Sequence, residues 1–135
     1  MSLIKLIAAC GTALLLAACA GTHYQPQLLS GQLSYQEKIS LPVASTMVHL
    51  RLYNVAGNDG GPANLLAEQF INSPQHFPVT YSLRYDLGAL AANGSYELDS
   101  QVYADGQLRM TGAQSLELTG GRLPDTLNVT VKPIK

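Results

Sequence analysis

Charge is scarce in this chain: 13% of its residues are charged and the formal net charge is −1. With no basic excess there is no footprint for nucleic acid or for a polybasic contact with a membrane. Histidine is sparse as well. His23, His49 and His76 stand at no spacing, to one another or to a cysteine, that a metal site uses. No serine lies in a Gly-x-Ser-x-Gly elbow, so nucleophilic hydrolysis lacks its usual carrier. Helical periodicity is nearly absent, and there are no internal repeats or low-complexity tracts. Tryptophan is missing, leaving seven tyrosines and two phenylalanines as the aromatic stock. Cysteine occurs twice, as Cys10 and Cys19, and the one long apolar run lies between Lys5 and the second of them.

That run carries the first positive information. A secretory signal needs a charged start, an apolar stretch of roughly 7–15 residues and small residues at the cut. Lys5, the segment Leu6 to Leu16, and Ala17-Ala18 provide all three. A membrane-spanning helix wants about 20 apolar residues, whereas this stretch meets Gly11 and Thr12 midway. Leu16-Ala17-Ala18-Cys19 resembles the lipobox of bacterial lipoproteins. The resemblance implies cleavage between Ala18 and Cys19, with Cys19 carrying a diacylglycerol and an N-acyl chain. Cys10 leaves with the signal, so no thiol remains for a disulfide, a redox pair or a metal.

Removal of residues 1–18 leaves 117 residues, the length of one domain, with seven basic and nine acidic residues and a formal charge of −2. Residues 19–30 read as the lipidated cysteine and a polar tether. The 11 residues after Cys19 could reach about 35 Å at roughly 3.3 Å each. Residues 31–135 read as the folded domain.

Within that domain the period is 2. Gln32 to Glu37 forms a first strand with Leu33 and Tyr35 on one face. Thr46 to Asn54 alternates most clearly, Val48, Leu50 and Leu52 against Met47, His49, Arg51 and Tyr53. Asn58-Asp59-Gly60-Gly61-Pro62 is a turn cluster. Leu65 to Asn72 has good helix formers but is short and bounded by Pro62 and Pro74, which favours a strand. Val79 to Tyr85 follows Pro78, a residue suited to the start of a strand. Asp86 to Ala92 has room for one helical turn. Ser95 to Ala104 and Gln107 to Thr111 flank Asp105-Gly106, a strong hairpin signal. Ser115 to Thr119 and Thr126 to Lys132 complete an all-β domain, a sandwich of about seven to eight short antiparallel strands rather than a closed barrel.

Few residues advertise chemistry. Glu97 and Asp99 share one face of a strand, an arrangement that acid/base catalysis can use but that solvated strand faces also show. Asn58-Asp59-Gly60-Gly61 offers oxygens without the spacing of a calcium loop. Asn93-Gly94-Ser95 and Asn128-Val129-Thr130 match the glycosylation pattern, which has no bearing on a bacterial lipoprotein. Catalytic residues, metal ligands and cofactors are therefore not expected. Tyr53 and Tyr103, on outward faces, are the candidate binding residues, because tyrosine brings contact area at low entropy cost.

Gly31-Gln32-Leu33-Ser34-Tyr35, the turn Leu41-Pro42-Val43-Ala44 and the strand Val48-His49-Leu50-Arg51-Leu52 resemble the YscW/YbaY family of lipoproteins. Phe77 to Tyr85 is similar to that family's proline-led strand, and Gly106-Gln107-Leu108 to its last hairpin. The family's Asp and Ala-Asp-Ala-Pro loop after the second strand are replaced here by Asn54 and by Gly57 to Pro62. The resemblance implies a β-sandwich. For the type III secretion members it also implies pilotin activity, in which a lipoprotein chaperone brings secretin subunits to the outer membrane and helps the ring assemble. The implied partner is a secretin subunit held by a short terminal segment, and the implied membrane contact is the lipid. Ala20-Gly21 lacks the aspartate that retains lipoproteins at the inner membrane, so the implied location is the outer membrane of a Gram-negative cell, facing the periplasm. The alternative is a general envelope lipoprotein that inhibits an enzyme or answers stress, with no secretin partner.

Overall fold

The computed structural model describes residues 24–56 and 64–134. The signal region, Cys19, His23 and the turn cluster Asn58 to Pro62 lie outside the described residues. Eight strands occur in chain order: β1 (Pro26–Ser34), β2 (Thr46–Asn54), β3 (Asn64–Asn72), β4 (Val79–Asp86), β5 (Tyr96–Ala104), β6 (Gln107–Leu116), β7 (Val129–Thr130) and β8 (Lys132–Pro133). Two 3-10 turns, Val43–Ser45 and Leu87–Ala89, are the described helical pieces. The strands form a three-stranded sheet, β4-β1-β7, and a five-stranded sheet, β3-β2-β5-β6-β8.

The alternation decides which face of each strand is buried. On β2, Val48, Leu50 and Leu52 are fully buried, and on β4 Val79, Tyr81, Leu83 and Tyr85 point into the same core. Tyr96, Leu98, Val102 and Ala104 do so from β5. Each such leucine or valine contributes about 1.5–3 kcal/mol by leaving water, and together they hold a fold with no disulfide among its described residues. Ser100 is the exception on the β5 face: it is buried, and its hydroxyl has no partner among the described residues.

Strand bounds at the start of the domain differ from expectation. The first strand is not Gln32 to Glu37 but Pro26–Ser34, paired with β4 from Pro26↔Asp86 to Leu33↔Val79. Ser30 and Gln32 stand on its outer face, and Gln27 and Gly31 interrupt the inner face that buries Leu29 and Leu33. Gly31 has no side chain because it cannot have one: a Cβ there would lie 1.9 Å from the Leu127 carbonyl oxygen. The glycine breaks the apolar pattern at the point where two backbones touch. As a result, the segment expected to be tether down to Ser30 is strand from Pro26 on.

The end of the chain also differs. Gln107 to Thr111 and Ser115 to Thr119 are not separate strands. Gln107 to Thr111 and the residues Ser115 and Leu116 belong to one strand, β6, which runs through Gly112, while Thr119 makes only an isolated bridge to Arg122. Thr126 to Lys132, expected as one strand, instead divides between the sheets. Val129–Thr130 pairs in parallel with β1, Lys132–Pro133 pairs antiparallel with β6, and Val131 is fully buried between them. The β5–β6 hairpin is as expected: Asp105 and Gly106 both have positive φ, 53° and 74°, the geometry of a two-residue turn that matches strand twist. Leu65 to Asn72 is a strand, and Asp86 to Ala92 holds the turn Leu87–Ala89.

Candidate functional site

The two ends of the sandwich are built differently. At one end the chain enters β1, and side-chain oxygens there take up loose backbone groups. Asp86 Oδ1 accepts from Gln25 N (3.0 Å) and Gly88 N (2.9 Å), and Asn54 Oδ1 accepts from Ala56 N (3.0 Å) and Ser95 N (3.3 Å). The Tyr96 hydroxyl accepts from Ala91 N at 2.7 Å, and Arg122 donates to Gln27 at 2.7 Å. These bonds tie the described loops of this closed end to the strands.

The opposite end carries the β1–β2 connection, the β3–β4 connection, the β5–β6 hairpin and β8. Tyr35 and Thr46 pin the connection by donating from their hydroxyls to the carbonyls of Ile39 (2.7 Å) and Pro42 (2.6 Å). The Tyr35 ring meets Phe77 edge-on at 5.0 Å between centroids. Two clefts flank this connection and share Ile39, Ser40 and Leu41 as a common wall. The first, of about 650 Å³, lies toward Pro74–Phe77 and carries Glu37 and Lys38. The second, of about 520 Å³, lies toward the hairpin and β8 and is lined by Leu41, Leu108, Met110, Pro133 and Ile134, with Asp105 and Arg109 also on its wall. Ile39, Val43 and Ile134 are 39%, 39% and 48% exposed, so this end presents aliphatic surface around its clefts. The other exposed large apolar residues, Tyr24, Leu28, Leu65 and Phe70, are spread over the chain's start, β1 and β3.

Tyr53 and Tyr103 both lie half-buried on the outer face of the five-stranded sheet, but not together. Tyr103 stands opposite Met47, six residues along β2 from Tyr53, which puts them about 20 Å apart at roughly 3.3 Å per residue. Arg51 covers the Tyr53 ring, its guanidinium carbon 5.4 Å from the centroid, and reaches Asp99 at 3.9 Å. Tyr103 donates to Gln101 at 3.1 Å and faces Leu108 across the hairpin, beside the second cleft. Glu97 and Asp99 share that outer face and line neither of the two clefts. His49 lies on the polar face of β2 as expected, stacked on Phe70 with centroids 4.0 Å apart and 3.0 Å from Glu68. His76 is in the β3–β4 connection, on the wall of the first cleft. Asn128 has a structural task that its sequence does not announce: its Oδ1 accepts from Gln32 N at 3.1 Å.

Burial raises the pKa of the Tyr81 hydroxyl to about 12 and also raises that of Tyr85. Tyr81 donates to the Leu127 carbonyl beside Gly31, a bond that ties β4 to the segment leading into β7. Both tyrosines belong to the core rather than to the clefts. The cleft residues Ile39, Leu41, Leu108, Arg109 and Ile134 were not among the sequence candidates. The available signal was an aliphatic residue, Ile39, within the polar run Gln36 to Ser40, where no strand alternation explains it.

Comparison with known proteins agrees with this architecture. An alternative pilotin from the type II secretion system of Vibrio cholerae superimposes with a TM-score of 0.71, at 23% identity, over 82% of this chain and 99% of that one. At that identity the likeness establishes the fold. A 9R-lipoxygenase from Cyanothece aligns at a TM-score of 0.39 and 16% identity, over 78% of this chain and 16% of that one, too loosely to carry an argument. No curated protein matches in sequence. The pattern of the YscW family, described as a type III secretion system lipoprotein chaperone, matches residues 24–131, from the residues before β1 to the buried Val131. A match over nearly the whole described domain means that the chain belongs to the YscW family.

Proposed function

We propose that the protein is a pilotin, a lipoprotein chaperone that brings secretin subunits to the outer membrane and promotes their assembly into a ring. Membership of the YscW family over residues 24–131 carries this reading, and the sandwich shared with a type II pilotin supports it. Cys19 is the address. Cleavage between Ala18 and Cys19 leaves a residue bearing a diacylglycerol and an N-acyl chain. Each buried methylene contributes about 0.8 kcal/mol, so one acyl chain binds marginally and several anchor stably. Ala20-Gly21 after the cysteine directs the protein to the outer membrane, facing the periplasm. Only residues 20–25 separate Cys19 from β1, a reach of about 20 Å at roughly 3.3 Å each. The domain therefore works close to the bilayer while gripping a short terminal segment of the secretin.

The test is secretin assembly in a strain lacking the gene, complemented by the normal protein or by Cys19→Ser. Heat-resistant secretin multimers are scored in separated inner and outer membranes. Multimers should be lost or misplaced without the protein, and Cys19→Ser should not restore them to the outer membrane. Normal assembly of every secretin in the deletion strain would overturn the reading in favour of a general envelope lipoprotein.

A further inference from the structure

We infer that the secretin segment docks at the open end of the sandwich, across the wall formed by Ile39 to Leu41, as an amphipathic peptide with its aliphatic side chains in the second cleft and its polar face toward the first. The inference rests on the pilotin reading and adds the place and chemistry of the contact.

Three observations lead there. The first is where the exposed aliphatic surface lies. Ile39, Val43 and Ile134 are each more than a third exposed at this end, around clefts of about 650 and 520 Å³. Aliphatic groups grouped around a concave surface are typical of a site that a partner covers.

The second is where the chain enters. β1 begins at the closed end and runs nine residues toward the clefts, about 30 Å at roughly 3.3 Å per residue. Residues 20–25 span at most about 20 Å, so the peptide of the mature tether does not reach back to the clefts. On the pilotin reading, the secretin segment is the occupant.

The third is the state of the competing surfaces. β3, the edge of the larger sheet, leans on β4, and Gln69 Oε1 already takes the Ser82 N–H at 2.9 Å. The stretch of β6 beyond the β8 pairing exposes Ala113, Gln114 and Ser115, which offer no aliphatic grip. On the outer face, Tyr53 is already covered by Arg51.

Charge at the site is balanced, with Glu37 and Lys38 on one cleft and Asp105 and Arg109 on the other. Binding therefore comes from aliphatic burial and is nearly independent of salt, since no net field is available to be screened.

The experiment places a photo-crosslinking amino acid at Ile39 or Ile134, and in separate full-length proteins at Tyr53, Ala91 or Ala113, in cells that make the secretin. Adducts are read with an antibody to the secretin. Secretin adducts should form from Ile39 and Ile134 and not from the other three. In parallel, the double variant Ile39→Asp with Ile134→Asp should lower outer-membrane multimers roughly tenfold or more, as loss of central apolar anchors does. Its thermal midpoint should match the parent's, and Ile134→Val should behave as wild type. Adducts from Tyr53, Ala91 or Ala113 with none from the open end would overturn the location and leave the pilotin reading standing. Normal multimers in the deletion strain would overturn both.

Discussion

The closed and open ends of the sandwich solve opposite problems. At the closed end, where the chain comes in from its proposed anchor, Asp86, Asn54 and Tyr96 each satisfy backbone groups that would otherwise be loose. At the open end, a connection pinned by the Tyr35 and Thr46 hydroxyls holds Ile39 and its neighbours out in water between two clefts. Polar satisfaction fixes the chain's entry, while the apolar groups exposed near it, Tyr24, Leu28 and Leu65, line neither cleft. Exposed aliphatics cost the free protein some solvation and gain it back on contact. The two ends therefore divide stability from recognition, and substitutions should separate the two properties.

The strongest way to break the framework side is at Gly31. Gly31→Ala would set a methyl group against the Leu127 carbonyl, whose backbone has little room to retreat because Leu127 N also donates to Ser30 O at 2.9 Å. We expect a loss of about 1–3 kcal/mol from forced overpacking, seen as a lower urea midpoint with an unchanged slope.

Next is Tyr81→Phe, which leaves the Leu127 carbonyl without its hydroxyl partner and should cost about 1–3 kcal/mol. The same residue gives the fold an alkaline limit. Folding raises its pKa from 10.0 to about 12, so above pH 10 the unfolded chain releases a proton that the native state retains. Its contribution is complete below pH 10 and is lost as the pH climbs to about 12. Thermal midpoints followed from neutral pH to pH 12 should fall over that window, and less steeply in Tyr81→Phe.

The smallest framework effect is Asp86→Ala, which removes the oxygen shared by Gln25 N and Gly88 N and should cost about 0.5–2 kcal/mol, as losing a capping side chain does. By contrast, Ile134→Asp at the open end should move stability by no more than about 0.5 kcal/mol. If Asp86→Ala impaired secretin assembly as much as Ile134→Asp while the domain stayed folded, the division between the ends would fail.

The sandwich was legible because its central strands bury one face and wet the other, as Val48, Leu50 and Leu52 on β2 and Val79 to Tyr85 on β4 show. Reading failed where two backbones meet without side chains between them. Gly31 made β1 look like tether, and Gly112 made β6 look like two strands, because a Cβ there would come within 3.0 Å of the Thr130 carbonyl. Such glycines mark contacts between segments 18 and 96 residues apart, which no local pattern reports. The clefts were hidden for a related reason. Ile39, Leu108 and Ile134 come from three segments distant in sequence, and only the pairing of β5, β6 and β8 brings the last two together. Tyr53 and Tyr103 were visible individually, but their separation along the face depends on register.

Val131 joins the sheets late. It lies between a strand that pairs with β1 and one that pairs with β6, so the core cannot shut until this part of the chain is present. Contacts of such sequence separation form slowly. A single residue thus works as a clasp for both sheets, and removing its side chain should loosen the sandwich as a whole rather than fray one edge.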